Sequence, residues 1–236
     1  MDISKYATLV FDCDGVVLDS NKVKTTAFYN AALPYGVAAA EALVEYHTKR
    51  GGISRYTKFE YFLEEIVGTK AEQKSLDKLL NDFAHEVKKG LLVCQISSGL
   101  KKLRQNTHSN WLLVSGGDQN ELRDIFMQRN LVEDFDGGIF GSPDTKDTIL
   151  AREIANGNIK LPALFIGDSK YDYQAATTAN IDFVFESSNE NIMIANEQKL
   201  KLPTNNASEG SVTITFKPTD DEYDDYKMTL FVKLLT

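Results

Sequence analysis

Carboxylate, hydroxyl and ammonium side chains recur in this sequence after or near the ends of short apolar runs. They are Asp12 and Asp14 in FDCDGVVLDS, Ser115 in LLVSGG, Lys146 in GSPDTKD, and Asp168 and Asp172 in FIGDSKYD. Two or three carboxylates can bind a small hard cation such as Mg2+ and leave coordination positions for water and phosphate oxygens. A carboxylate can also be a covalent nucleophile, while a lysine and a hydroxyl stabilise the charge of a transferring phosphoryl group. These residue types therefore predict phosphoryl transfer.

The apolar runs before these side chains are predicted to be strands, and the segments between them helices. The predicted strands are residues 7–11, 111–114, 138–140, 164–166 and 181–185. The predicted helices are residues 120–128, 147–154 and 171–178. Alternation of strand and helix predicts an α/β fold with a Rossmann-like parallel sheet. Because ligands of such sheets bind beyond the carboxyl ends of the strands, the six polar side chains are expected to meet at one rim.

A helical pattern without strands separates the first predicted strand from the others. Apolar residues recur there at helical spacing in three stripes: Val23, Ala27 and Ala31; Phe59, Phe62 and Ile66; and Leu76, Leu79, Leu80, Phe83 and Val87. We expect four helices, which form a small domain over residues 20–91. This domain interrupts a core formed by residues 1–19 and 92–236, in which residues from about 187 are a C-terminal extension. The extension contains two strand candidates, residues 212–216 and 227–235, which suggest a hairpin.

The motifs DCDGVVLDS, VSGG, the lone Lys146 and GDSKYD, in this order, resemble the four motifs of the haloacid dehalogenase-like superfamily. The resemblance covers about residues 8–185. It implies a Rossmann-like core with the nucleophile at the end of the central strand. It also implies that the helical segment is a cap, inserted between the first and second motifs.

The resemblance implies a role for each matched residue. Asp12 would be the nucleophile and Asp14 the general acid and base, with Ser115 and Lys146 binding the phosphoryl group. Mg2+ would be held by Asp12, Asp168 and the backbone carbonyl of Asp14, and Asp172 would steady Lys146 or a metal-bound water. Many relatives have Asn after the Ser or Thr of the second motif, where this chain has Gly116. Gly116 is expected to widen the substrate site or to leave a substrate oxygen to backbone amides.

A glycine-rich basic segment, KRGGISRYTKF, lies within the predicted cap. It resembles the substrate-specificity loop of phosphoglycolate phosphatase and β-phosphoglucomutase relatives. Arg50, Arg55 and Lys58 are therefore candidates for binding a second anionic or hydroxylated part of the substrate. The alternative for Arg55 and Lys58 is a solvated helix face. Ser20, before the first cap helix, is interpreted as a helix cap.

Two enzymatic functions follow from these motifs. The first is a Mg2+-dependent phosphatase that hydrolyses a small phosphorylated metabolite through an aspartyl-phosphate. The alternative is a sugar-phosphate mutase of the β-phosphoglucomutase type. A carbon–halogen hydrolase of the superfamily is expected to lack the carboxylate at Asp14, and a noncatalytic protein has no need of the whole set.

Net charge, cysteine content and the first residues indicate which partners and which cellular compartment to expect. The net charge of -8 argues against binding to nucleic acid or to an anionic membrane surface. Two cysteines, Cys13 and Cys94, do not form a disulfide framework and favour a reducing compartment. The first residues lack the features of a signal peptide, and no run is long enough to cross a bilayer. We expect a cytoplasmic protein.

Overall fold

The computed structural model describes residues 3–185, 210–216 and 226–232. Its centre is a parallel five-stranded sheet with the strand order β3-β2-β1-β4-β5. The strands are β1 (Thr8–Phe11), β2 (Asn110–Asp118), β3 (Gly138–Ser142), β4 (Ala163–Gly167) and β5 (Asp182–Phe185). Because β1 is the central strand, residues at its carboxyl end lie in the middle of the rim. The predicted α/β class and parallel sheet are confirmed.

Eight α-helices accompany the sheet in the described residues. They are α1 (Asn21–Ala32), α2 (Val37–Lys49), α3 (Arg55–Tyr61), α4 (Gln73–Val93), α5 (Leu100–Gln105), α6 (Gln119–Gln128), α7 (Lys146–Ala155) and α8 (Lys170–Thr178). A turn of π-helix, Phe62–Val67, continues α3. The short helix α5 is not among the predicted elements. No helix in the described part of the chain is long and apolar enough to cross a membrane.

The middle residues of β1, β2 and β4 are apolar because both faces of the sheet are covered. Leu9 and Phe11 belong to a core on one face, which includes the apolar side of α6. Val10 and Leu112 belong to a second core on the other face, formed with α7 and α8. Successive strand residues therefore alternate between two hydrophobic cores, and the sheet is fixed in register from both sides.

Helices α1 to α4 form a separate helical insert (residues 21–93) between β1 and β2. Its centre is an aromatic cluster of Phe28, Phe59 and Phe83, with ring centroids 4.3 to 5.7 Å apart. The same three residues belong to the predicted apolar stripes or pack directly against them. Helix α4 buries Leu79, Phe83 and Val87 along one side, as their spacing predicts.

The last described residues form an antiparallel pair of strands, β6 (Gly210–Phe216) and β7 (Tyr226–Val232). Both strand candidates of the C-terminal extension are therefore found; residues 233–235 of the second candidate lie outside the described residues. The predicted polar segment that begins near residue 187 lies, up to residue 209, outside the described residues.

Candidate active site

Asp12 directly follows the central strand and is only 3% exposed. Its backbone N–H donates to the carbonyl of Ile166 on β4 at 2.9 Å, which fixes the residue to the sheet. Gly15, in the loop that follows, has a φ of +74°. A Cβ at Gly15 would lie 2.2 Å from Oδ2 of Asp168 and 2.5 Å from Nδ2 of Asn21. Glycine is therefore required for this loop to approach the end of β4 so closely.

Lys146, the first residue of α7, is buried between two carboxylates. Its Nζ donates to Oδ1 of Asp12 at 2.6 Å and to Oδ1 of Asp172. Burial opposes the charge of Lys146, but the two carboxylates outweigh burial and raise its pKa above the ordinary value. Asp172 is itself held by the N–H and hydroxyl of Ser169, at 3.1 and 2.7 Å, in a capping box at the start of α8. Lys146 is therefore a charged group in a fixed position beside Asp12.

Three carboxylates could hold a divalent cation at this rim. Ligand atoms of Asp12, Asp168 and Asp172 all lie within 4.8 Å of one another. The pKa of Asp12 is raised to about 8, chiefly by burial and also by the neighbouring carboxylates, while Lys146 opposes the rise. Burial likewise raises the pKa of Asp168 to about 6. A close set of hard oxygen donors whose negative charges repel one another fits Mg2+.

Asp14 is held by two residues from the start of the helical insert. Ser20 donates its hydroxyl to Oδ1 of Asp14 at 2.5 Å, and the ammonium of Lys24 pairs with Oδ2. Burial would raise the pKa of Asp14, but Lys24 and Ser20 lower it below the ordinary value. Ser20 occupies the N-cap position of α1, as predicted, but its side chain makes no capping hydrogen bond and binds Asp14 instead. Nothing in the sequence marks Lys24 as a site residue, apart from its position in the first turns of α1.

Ser115 and Gly116 lie in the last part of β2, where it passes under the insert. Ser115 is fully buried, and its hydroxyl accepts a hydrogen bond from the N–H of Gly117 at 3.1 Å. A Cβ at Gly116 would lie 2.3 Å from the carbonyl oxygen of Gly52 in the loop between α2 and α3. The space left by the missing side chain is therefore occupied by the insert loop, and it does not widen the site.

Arg55 and Lys58, on α3, are both buried, at 6% and 2% exposure. The alternative of a solvated helix face is therefore wrong for both. Arg55 forms an ion pair with Glu121 on α6, and its guanidinium lies 4.6 Å from the centre of the Phe83 ring. Lys58 has its Nζ 2.9 Å from Nδ1 of His47 on α2. Arg55 thus connects the insert to the core.

One cavity of about 820 Å³ brings these groups together. From the core it is lined by Asp12, Asp14, Gly116, Asp168 and Ser169, and from the insert by Lys24, Phe28, His47, Arg50, Gly52, Arg55 and Lys58. Of the predicted substrate-binding residues, Gly116, Arg50, Arg55 and Lys58 line this cavity, and Ser115 does not. Sequence reasoning missed Lys24, His47 and Glu121, because each acquires its role from a contact between helices distant in sequence.

Comparison with known proteins agrees with this architecture. A model of the haloacid dehalogenase-like hydrolase family matches residues 6–180. The chain therefore belongs to the haloacid dehalogenase-like hydrolases, which confirms the predicted family and the predicted enzyme class. A search of curated proteins finds no match.

Two solved structures share the fold at low sequence identity. A predicted phosphoglycolate phosphatase from Haemophilus somnus 129Pt is 16% identical, with 84% of this chain and 93% of that chain covered and a TM-score of 0.62. A predicted phosphatase from Clostridium acetobutylicum is 20% identical, with 76% of this chain and 84% of that chain covered and a TM-score of 0.60. At such identities the similarity supports the fold alone.

Proposed function

We propose that this protein is a Mg2+-dependent phosphatase that hydrolyses a small phosphorylated metabolite through an aspartyl-phosphate formed on Asp12. The observation that carries the proposal is the fixed charge arrangement at the end of β1. There Lys146 lies between Asp12 and Asp172, and Asp168 joins the two carboxylates within 4.8 Å. Membership of the haloacid dehalogenase-like hydrolase family supports the same class of reaction.

In the proposed reaction, Asp12 attacks phosphorus and displaces the alcohol of the substrate. Asp14 gives a proton to the leaving oxygen and later accepts one from the water that hydrolyses the aspartyl-phosphate. Ser20 and Lys24 stabilise the ionised form of Asp14, which is the form that accepts a proton in the second step. The first step needs the protonated form, which these two contacts do not favour.

The phosphoryl oxygens are assigned to Lys146, Ser115 and backbone N–H groups near Gly116. Mg2+, held by Asp12, Asp168 and the backbone carbonyl of Asp14, would neutralise negative charge on the transferring group. Asp172 keeps Lys146 in place and is close enough to take part in the metal site.

We assign the helical insert to the role of a cap, with a domain boundary near residues 20 and 91. It contributes the upper wall of the cavity, so it would exclude water and select the leaving group. The cavity volume of about 820 Å³ favours a small molecule over a folded protein substrate. We further propose a cytoplasmic location, in keeping with two free cysteines.

A sugar-phosphate mutase of the β-phosphoglucomutase type is the second candidate. The observation that favours it is Lys58, a buried cation in the cap wall that could bind a second phosphate. A mutase must hold a bisphosphate and return the phosphoryl group to another hydroxyl. Conversion of β-glucose 1-phosphate without release of inorganic phosphate would select the mutase over the phosphatase.

The phosphatase is tested by release of inorganic phosphate from a panel of phosphorylated metabolites with and without Mg2+. We expect release that depends on Mg2+ and that is lost in Asp12→Asn. The matched control is Asp124→Asn on the exposed side of α6, which should keep full activity. Absence of release from every compound at saturating Mg2+ would contradict the proposal.

A further inference from the structure

Four lysine and arginine side chains are buried in the described part of the chain: Lys24, Arg55, Lys58 and Lys146, each 9% exposed or less. Three of them form ion pairs with carboxylates: Lys24 with Asp14, Arg55 with Glu121, and Lys146 with Asp12 and Asp172. Within the described residues, no ion pair involves Lys58. This one buried cation therefore differs from the others.

The surroundings of Lys58 do not compensate its charge. Its Nζ contacts Nδ1 of His47 at 2.9 Å and lies 5.4 Å from the centre of the Phe28 ring. Burial and nearby Lys24 lower the pKa of Lys58 to about 7, against an opposing effect of Asp14. Burial and Lys58 also lower the pKa of His47, to about 3, so the imidazole is neutral.

Packing gives no reason for a lysine at this position. An ammonium buried without a carboxylate costs free energy, and an apolar side chain of similar length would avoid that cost. The side chain lies next to the aromatic cluster of the insert, where methionine would pack well. A residue that is unfavourable for stability and faces a cavity is a candidate for binding.

Lys58 lines the same cavity as Asp12 and Asp14, but from the insert side. A phosphate ester attacked by Asp12 has its phosphoryl group at the core rim. Its leaving group then extends into the part of the cavity that the insert covers. Of the buried cations, Lys58 is the one whose charge is left for that leaving group.

We propose that Lys58, positioned by His47, is an anion subsite for the leaving group, so that the substrate is a phosphate monoester carrying a second anionic group. This inference rests on the proposed phosphatase for its catalytic consequences, while the binding subsite itself can be tested without turnover. A carboxylate and a second phosphate are the two chemical sources of such an anion. Either would supply the counter-charge that Lys58 lacks, and neutral His47 can accept a hydrogen bond from the ammonium.

The experiment compares three substrates that differ only at the far end of a two-carbon leaving group: ethyl phosphate, phosphoglycolate and ethylene glycol bisphosphate. For each, kcat and KM are measured with Mg2+ for the wild type, Lys58→Met and Lys88→Met. Lys88 is the matched control because it is an exposed lysine of the insert that pairs with a core carboxylate. Binding of the same compounds to Asp12→Asn and to the double variant with Lys58→Met is measured by calorimetry.

We expect the wild type to prefer one of the anionic leaving groups over ethyl phosphate. In Lys58→Met this preference should fall on the order of 10- to 100-fold, mainly through KM, as the loss of a hydrogen bond to a charged group predicts. Lys88→Met should keep the wild-type preference. The anionic compound that loses its advantage over ethyl phosphate in Lys58→Met identifies the bound anion as a carboxylate or a phosphate.

Two results would overturn the subsite. One is an unchanged preference in Lys58→Met when circular dichroism shows the variant folded. The other is calorimetry in which the three compounds bind Asp12→Asn equally, or none binds. Failure of the phosphatase is distinguishable, since it gives no turnover while Lys58-dependent binding of the anionic compounds persists.

Discussion

Two buried lysines, Lys146 in the core and Lys58 in the insert, differ in how their charge is compensated. In the core, Lys146 lies between Asp12 and Asp172, and its pKa is raised. In the insert, Lys58 is as deeply buried but has a neutral imidazole as its polar partner, and its pKa is lowered to about 7. The charge of Lys146 is compensated by carboxylates of the protein, whereas no carboxylate of the described residues is paired with Lys58.

This difference corresponds to the two tasks of the cavity. A phosphoryl group is common to all substrates of such an enzyme, so the groups that bind it can be fixed by ion pairs within the core. In the proposed function, the leaving group lies against the insert, whose side chains would select it. Unsatisfied charge on the insert side is therefore expected where a charged part of the substrate binds.

Lys146→Met is expected to have the largest effect. Turnover should fall by about 10³-fold, because a fixed cation at the phosphoryl group is lost. Without added Mg2+, the free energy of unfolding should also fall by about 3 to 5 kcal/mol, because two buried carboxylates lose their partner. Phosphate release and urea unfolding measure the two effects, and turnover within tenfold of the wild type would contradict the role of Lys146.

Arg55→Met is expected to have the next largest effect. The change leaves Glu121 without a partner at 11% side-chain exposure, and one of its oxygens, Oε1, already makes no hydrogen bond. We expect the free energy of unfolding to fall by about 3 kcal/mol.

Lys88→Met is the matched control for Arg55→Met, since Lys88–Asp124 also joins the insert to α6 but is exposed at both ends. That control should show no measurable change in urea unfolding. Equal effects of the two variants would show that burial does not distinguish these two connections.

The site residues of the core could be predicted from the sequence, whereas the contacts made by the insert could not. Asp12 and Asp168 follow apolar runs, and parallel strands bring such positions together whatever the loops do. The pairing of Arg55 with Glu121 spans 66 residues and depends on how α3 meets α6. Neither the burial of Lys58 nor the contact of Lys24 with Asp14 is encoded in local spacing. Helical periodicity predicts which face is apolar, and it does not predict which charged residue another helix covers.

The pH dependence of stability gives a smaller effect that isolates Lys58. The folded protein binds the proton of Lys58 with a pKa of about 7, against 10.5 ordinarily. Between these values the unfolded chain holds a proton that the folded protein lacks, so wild-type stability rises with pH relative to Lys58→Met. The slope is at most about 1.4 kcal/mol per pH unit.

The groups that act on Lys58 are Lys24, Lys146 and Asp14, and its direct partner His47 titrates outside this window. Urea unfolding of the wild type and Lys58→Met across the window measures the difference. We expect Lys58→Met to be the more stable protein near neutral pH and to lose this advantage as the pH rises. A difference that does not vary with pH would show that Lys58 has an ordinary pKa and that the two lysines do not differ as described.

Gly116→Ala should have the smallest effect, and it tests whether the insert meets the core as described. The added Cβ would lie 2.3 Å from the carbonyl of Gly52, and because both groups are backbone, the insert loop must move. Such overpacking costs about 1 to 3 kcal/mol, and 1.4 kcal/mol corresponds to about a tenfold loss in kcat/KM. Gly99→Ala is the control, since a Cβ there meets nothing within 4 Å.

Trypsin cleavage after Arg50 supplies a second measurement of the same loop, because the bond lies next to the glycine pair that contacts the core. Displacement of the loop in Gly116→Ala should accelerate this cleavage, while Gly99→Ala should leave its rate unchanged. If kcat/KM and cleavage both stay at wild-type values, the loop does not rest on Gly116 during the reaction. The anion subsite at Lys58 would then be completed by a different position of the insert.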